Sequence, residues 1–226
     1  MKTAVLTGAS SGIGQAIGQK LSQNGWRVIR LHHANETTND SYAVDLSDLA
    51  ATAEFGKRLV NELPQLDAFI HVAGIWHTKD EVLAGRDFTS FTAEQITTTM
   101  NVGLTSVMLL CNALLTIMQH GTILGVSGTF ADGGAGWLPY YTSKRALEDF
   151  LVGLSQDQPQ IKIFGISPAD TATPAYAKFY PQYLSEARSS EVIADLALDL
   201  LTGNTEYKSG DIVEVRNGET RRGFHA

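Results

Sequence analysis

Short runs of β-branched and other apolar residues alternate with longer stretches of helical periodicity along most of the chain. The runs at residues 3–7, 27–31, 41–44, 68–72, 122–127, 161–166 and 212–215 are mostly continuous, the pattern of strands buried on both faces of a parallel sheet. Between them, residues 12–23, 46–61, 92–119, 140–155 and 190–201 read as helices. Local signals bound these helices. Ser47 or Asp48 can cap the second and Ser189 or Ser190 the last, and Gly25 sits where a left-handed stop after the first is expected. Thr92, with Gln95 three residues on, forms a capping-box pattern. Strand–helix alternation with such long crossovers predicts right-handed βαβ units and an α/β fold. No linker or repeat divides the chain, so residues 1–226 read as one domain. Residues 75–91 and 170–188 fit neither element. Both follow predicted strands, at the carboxyl edge where doubly wound sheets bind ligands.

Composition narrows the function classes. A chain of 226 residues with 43% hydrophobic and 18% charged positions can close a core without staples. Seventeen Lys and Arg against 24 Asp and Glu leave a net charge of −7 and no basic stripe, which argues against nucleic acid as a partner. One cysteine, Cys111, allows no internal disulfide and reads as packing in an apolar helix. The apolar stretch 107–118 carries Asn112 and Thr116 and falls short of the roughly 20 residues a spanning helix needs. The first strand is too short and too polar for a signal peptide, so a soluble, cytoplasmic protein without a membrane partner is expected. His32, His33, His71, His77, His120 and His225 show no ligand spacing, and no metal is expected.

Thr7-Gly8-Ala9-Ser10-Ser11-Gly12-Ile13-Gly14 follows the first strand and opens the first helix. Gly8 can leave the strand at positive φ, Gly12 lets backbone approach a diphosphate, and Gly14 removes a Cβ where helix meets strand. The free amides of the helix start then favour phosphate. No Gly-Lys-Ser/Thr ends the loop, which excludes a Walker-type site.

With its G-x-x-x-G-x-G spacing, the chain resembles the classical short-chain dehydrogenase/reductase family, in several ordered motifs over nearly its whole length. Thr7–Gly14 is similar to the family's T-G-x-x-x-G-x-G loop, and Asp45-Leu46 to its adenine-contacting acidic–apolar pair. His71-Val72-Ala73-Gly74 stands in the place of N-N-A-G, and Asn101 in that of the helical asparagine. Ser127 ends the fifth strand, Tyr140 and Lys144 form Y-x-x-x-K, and Ser167-Pro168-Ala169 with Thr173 resembles P-G-x-x-x-T. The resemblance implies a Rossmann-type, doubly wound domain with a mainly parallel seven-stranded sheet flanked by helices. It also implies a dinucleotide held by Gly8, Ser10, Ser11, Gly12, Ile13, Gly14, Asp45, Leu46, Ala73, Gly74, Pro168, Thr171 and Thr173. His71 and Val72 replace both asparagines of the family motif, which is expected to remove polar side chains that help fix the central strands.

Tyr140 and Lys144 are four apart on a predicted helix and share a face. A neighbouring ammonium favours phenolate and is expected to pull the tyrosine pKa down from near 10, so that Tyr140 can exchange a proton with a substrate oxygen. By the resemblance, Lys144 also holds the nicotinamide ribose, Ser127 hydrogen-bonds the substrate oxygen, and Asn101 supports the proton relay. The family separates its serine and tyrosine by thirteen residues, as 127 and 140 are, which favours Tyr140 over Tyr141; Tyr141 reads as a packing residue.

His32 and His33 stand where an acidic residue would select NAD, and Glu36 is the nearest carboxylate in sequence. A histidine can donate to a 2′-phosphate, so NADP(H) is expected over NAD(H). The expected substrate is a small-molecule carbonyl or alcohol with apolar parts, walled by loops 128–138 and 170–188. Trp137, Leu138, Tyr176, Phe179, Tyr180 and Tyr183 lie there, with Trp76 and His77 after the fourth strand. Val107, Leu110, Leu114 and Met118 follow a spacing that suits either a core or a subunit contact, and the resemblance implies a homodimer or homotetramer. The rival reading is a dinucleotide-binding sensor or scaffold without turnover.

Overall fold

The computed structural model describes residues 1–33, 40–130, 133–216 and 219–222, so Glu36 and His225 lie outside the described residues. The strands are β1 (Thr3–Thr7), β2 (Arg27–His32), β3 (Ser41–Ala43), β4 (Ala68–His71), β5 (Gly121–Val126), β6 (Ile161–Pro168), β7 (Thr171–Ala172), β8 (Arg188–Ser189), β9 (Ile212–Arg216) and β10 (Glu219–Arg222). The helices are α1 (Gly12–Gln23), α2 (Leu49–Glu62), α3 (Ala93–Met100), α4 (Ser106–Leu114), α5 (Leu138–Asp157), α6 (Pro174–Phe179) and α7 (Ser190–Thr202). Seven strands pair in parallel in the order β3-β2-β1-β4-β5-β6-β9. The seven expected strands thus form one parallel sheet. An eighth, β10, adds antiparallel to β9 at the edge, and β7 and β8 make a separate pair inside the unassigned loop 170–188.

Two apolar layers cover the sheet. Ile17 and Leu21 of α1 pack with Ile193, Ala197 and Leu200 of α7 on one face. Leu59 of α2, Leu110 and Leu114 of α4, and Leu147 and Leu151 of α5 fill the other. Val107, Leu110, Leu114 and Met118 are all buried in this second layer, so that stripe is core and not a subunit contact. The helical run from 93 to 117 is long and apolar enough to cross a bilayer by composition, longer than the stretch the sequence singles out, but its apolar stripe lies on the sheet. Cys111 is buried there too, and burial pushes its thiol pKa up.

Capping chemistry explains the helix ends. Asp48 accepts from the Ala51 amide and starts α2 at Leu49, three residues later than the apolar pattern suggests. Thr92 and Gln95 form the reciprocal capping box, and Ser189 caps α7. Gly25 takes φ +78°, just past the α1 cap Asn24. The expected helix 92–119 is not uniform. A π-helical turn over Asn101–Thr105 separates α3 from α4, and a 3-10 turn over Leu115–Ile117 ends the run. In register, Thr7 of β1 lies beside Leu31 of β2 and His71 of β4. The strand order reverses between β1 and β4, and the carboxyl ends of these strands open onto the loops that carry the candidate residues.

Candidate active site

The glycine-rich turn has the geometry its spacing predicts. Gly8 leaves β1 at φ +66°, and a Cβ there would stand 2.7 Å from the Ala73 amide nitrogen. A Cβ on Gly14 would collide with the Gly8 carbonyl, and one on Gly12 would meet Thr173 Cβ at 2.7 Å. These three positions bring the turn, Ala73-Gly74 and the start of α6 into one place. Ser11 caps α1, its hydroxyl accepting from the Gly14 amide at 3.0 Å and its carbonyl from the Gln15 amide at 2.8 Å. First-turn amides have no intrahelical acceptor, so those of Gly12 and Ile13 are directed out of the helix start. A cradle without Cβ atoms and with free amides at a helix N-terminus fits a dinucleotide diphosphate. Ser10 is exposed, and its carbonyl accepts from Gln15 Nε2.

The adenine end is less uniform. Asp45 Oδ1 accepts from the hydroxyl and the amide of Ser47, at 2.7 and 2.9 Å, and these hydrogen bonds hold its carboxyl below the usual range. Leu46 next to it faces inward. Its side chain is buried in the core layer under α2 and α4, which leaves only its backbone for a ligand. His32 ends β2 with Nε2 2.6 Å from the Ser41 hydroxyl, whereas His33 is exposed and 4.0 Å from Asp45 Oδ1. An open groove of about 620 Å³ between β3 and α2 is lined by Asp45, Phe55 and Arg58 among others, but not by Tyr140 or Lys144.

Tyr140 and Lys144 share one face of α5, with the ammonium nitrogen 5.6 Å from the ring centroid. Lys144 is 1% exposed and donates to the carbonyls of Val126 (2.8 Å) and Ala73 (3.1 Å). Gly74 makes room for both residues: a Cβ there would lie 2.8 Å from Lys144 Nζ and 3.3 Å from Tyr140 Cε2. Burial pulls the lysine pKa down to about 8, opposed by the charge of Glu148. The expected lowering of the tyrosine pKa does not occur. Desolvation around the hydroxyl pushes it up, and the ammonium is committed to two carbonyls instead of the phenol. Tyr141 packs on Phe130 and over Gly134, as a structural residue would.

Two residues expected beside this pair are bound elsewhere. Asn101 opens the π-helical turn and donates from Nδ2 to the Ser47 carbonyl at 3.0 Å, tying α3 to the loop before α2. Ser127 is 2% exposed and donates to Glu148 Oε1 at 2.6 Å. A hydroxyl has one proton, and here a buried carboxylate takes it. Sequence reading missed Glu148; its position four residues after Lys144 was the available signal. His71 is a further correction. It does not remove a polar tie between the central strands but makes one, with Nδ1 2.9 Å from the Thr7 hydroxyl.

Beyond β6, the Pro168 carbonyl accepts from the Thr129 amide at 2.9 Å. Thr171 is buried and bonded to the Ala169 carbonyl, and Thr173 caps α6 by accepting from the Tyr176 amide. Of the expected aromatic wall, Trp76 gathers His77, Phe179, Tyr180 and Trp137 within centroid distances of 4.4 to 6.5 Å. Trp137 in turn lies 6.2 Å from the Tyr140 ring, and Tyr176 is 5.4 Å from Tyr180. Leu138 and Tyr183 remain exposed, with no ring contact shown to this cluster.

The family model for short chain dehydrogenase matches residues 2–184. A 3-oxoacyl-[acyl-carrier-protein] reductase of Buchnera aphidicola is 26% identical over 246 residues, covering 96% of both chains. Among solved structures, a putative NAD(P)-dependent gluconate 5-dehydrogenase from Beutenbergia cavernae with bound NADP superposes with a TM-score of 0.83 at 20% identity, covering 96% of each chain. A 3-ketoacyl-(acyl-carrier-protein) reductase from Brucella melitensis complexed with NADH gives 0.80 at 19% identity, covering 96% of this chain and 97% of its own. At these identities the solved structures show a common fold.

Proposed function

Because the chain belongs to the short-chain dehydrogenase family of oxidoreductases acting on CH–OH and C=O groups, we propose that it is an NADP(H)-dependent carbonyl reductase or alcohol dehydrogenase with Tyr140 as its general acid and base. The observation that carries this reading is the Tyr140–Lys144 pair, seated against Gly74 beside the glycine-rich turn. The amides of Gly12 and Ile13, with Ser10, would hold the diphosphate, and Asp45 the adenine. Ala73, Gly74, Pro168, Thr171 and Thr173 would line the nicotinamide half, and Lys144 would reach its ribose. A bound nicotinamide supplies the hydride for a carbonyl carbon, or takes it from an alcohol.

The remaining chemistry belongs to this chain. Tyr140, whose pKa burial raises, stays protonated at neutral pH and gives its proton to the oxygen of a reduced carbonyl. The Lys144 ammonium, 5.6 Å from the ring centroid and bonded to two carbonyls, offsets the phenolate left behind through its charge and not through a direct hydrogen bond, and it does so only while it carries a proton. The Trp76, Trp137, Phe179 and Tyr180 rings form an apolar wall on the Tyr140 side, which fits a substrate with apolar parts and limits water around the reacting oxygen.

His33 supports a preference for NADP(H), because it is exposed near the end of β2 and able to meet a 2′-phosphate; one solved relative is described with NADP and another with NADH. Titrating NADPH and NADH separately by nicotinamide fluorescence, then adding a carbonyl panel, tests the proposal. Tighter NADPH binding and its oxidation by a panel member are expected. Tighter NADH binding would overturn the role of the histidines, and binding of neither would overturn the reading of the turn. A homodimer or homotetramer, and action in the cytoplasm, remain part of this proposal. Met108, on the outer side of α4, is 44% exposed and available to such an interface.

A further inference from the structure

Ser127 and Glu148 form a buried pair that the proposed proton transfer does not use directly. Ser127 follows the last residue of β5, where its amide donates to the Ile166 carbonyl at 2.8 Å. Its hydroxyl donates to Glu148 Oε1 at 2.6 Å, with the Ile166 carbonyl a weaker second acceptor at 3.3 Å. The other carboxylate oxygen of Glu148 meets Arg145 Nη1 at 2.6 Å. Glu148 is 4% exposed, and Arg145 and Ser127 supply the pairing and hydrogen bond that a buried carboxylate needs, so it is held in place where it also faces a neighbouring charge.

That neighbouring charge is Lys144, one helical turn earlier on α5. The link is doubled through the strand. Val126 gives its carbonyl to Lys144 Nζ, and the next residue, Ser127, gives its hydroxyl proton to Glu148. The end of β5 therefore fixes both side chains in one register.

We propose that Ser127 and Glu148 are positioning residues that keep Lys144 in place and protonated, and that Ser127 does not hold the substrate oxygen. This rests on Tyr140 and Lys144 being the reacting pair. The charged and titratable groups facing Lys144 are His71 from β4, and Tyr140 and Glu148 from its own helix, with Arg145 neutralising the outer oxygen of Glu148. His71 is neutral above pH 4 and Tyr140 titrates well above the usual phenol range, so a transition near pH 8 belongs to Lys144.

The experiment is an NMR titration of the whole protein labelled with 13C at lysine Cε, with Lys144 assigned through Lys144→Arg. It needs no turnover, so it reads this inference even if no carbonyl is ever reduced. Glu148→Gln keeps the shape of the side chain and is expected to lower the Lys144 midpoint by about one pH unit or more, a tenfold or larger change in proton affinity. Ser127→Ala keeps the charge but loosens it, and is expected to shift the midpoint the same way by less. The alkaline limb of kcat/KM should move with each midpoint. An unmoved midpoint in Glu148→Gln would overturn the proposal. So would a hundredfold loss of kcat in Ser127→Ala with the limb in place, which would return Ser127 to the substrate.

Discussion

Thr7 on β1 gives its hydroxyl proton to Nδ1 of His71 on β4, across 2.9 Å of buried space between the two central strands. The direction of the bond follows from counting. The Thr7 oxygen already accepts two amides, Val72 at 3.2 Å and Ala73 at 3.4 Å, which fills both its lone pairs, so its only proton goes to the imidazole. His71 is therefore neutral with its hydrogen on Nε2, an atom without a partner among the described residues. Burial first, and the Lys144 charge second, pull its pKa from 6.5 down to about 3.

The folded-state pKa lies below the unfolded one, so the contribution of His71 is complete above pH 6.5 and is lost as pH falls toward 3, with a slope of up to about 1.4 kcal/mol per pH unit. His71→Asn removes the titration. Urea midpoints of the two proteins should differ most at pH 7.5 and converge as pH falls from 6.5 toward 3; a constant gap would contradict the assignment.

Tyr140→Phe removes the proton and leaves the ring in its place against Trp137 and Phe130. Turnover of any carbonyl found to be a substrate should fall by about 10²–10⁴-fold. Nicotinamide fluorescence should report cofactor binding within a few-fold of the unaltered protein. Equal loss of both would mean that the tyrosine holds the fold of the site and not the proton.

Gly74→Ala tests how closely the pair is seated. The new methyl would arrive 2.8 Å from Lys144 Nζ, the far end of a flexible side chain, so the backbone can stay put while the ammonium leaves its two carbonyls. A loss of kcat of roughly 10–100-fold is expected, since a displacement on the order of 1 Å has such effects. The melting temperature should change by no more than a few degrees.

Trp76→Ala opens the aromatic wall. Trp76 stacks on Tyr180 at 6.2 Å and meets Phe179 edge-on at 6.0 Å, each pair worth about 0.5–1.5 kcal/mol. KM for apolar carbonyls should rise about tenfold or more while kcat changes less. A kcat effect without a KM effect would place the ring in gating and not in binding.

Much of this was legible along the chain because it depends on neighbours in sequence. The strands appear as apolar runs, the capping box as Thr92 and Gln95, and the shared face of Tyr140 and Lys144 as a spacing of four. The burial of Leu46 was not legible for the opposite reason. An adjacent aspartate and leucine look like one ligand contact, but their side chains point to different environments, and only the packing of α2 and α4 sends Leu46 inward. The extra strand β10 was hidden because it pairs at an edge, where no strong apolar run is required.

By itself the sequence determined the parallel sheet, the glycine cradle and the Tyr140–Lys144 pair, since each rests on a local period or a steric demand for glycine. The tertiary structure decided what the buried polar groups do. A spacing of thirteen places Ser127 at the right distance along the chain from Tyr140, but a hydroxyl acts where its single proton points. That direction is set by Glu148, brought from α5 onto the end of β5. His71 likewise acquires its tautomer and its low pKa from Thr7 and Lys144, which lie 64 and 73 positions away in the chain. Long-range burial fixes the desolvation and partners of such groups, and no local pattern encodes either.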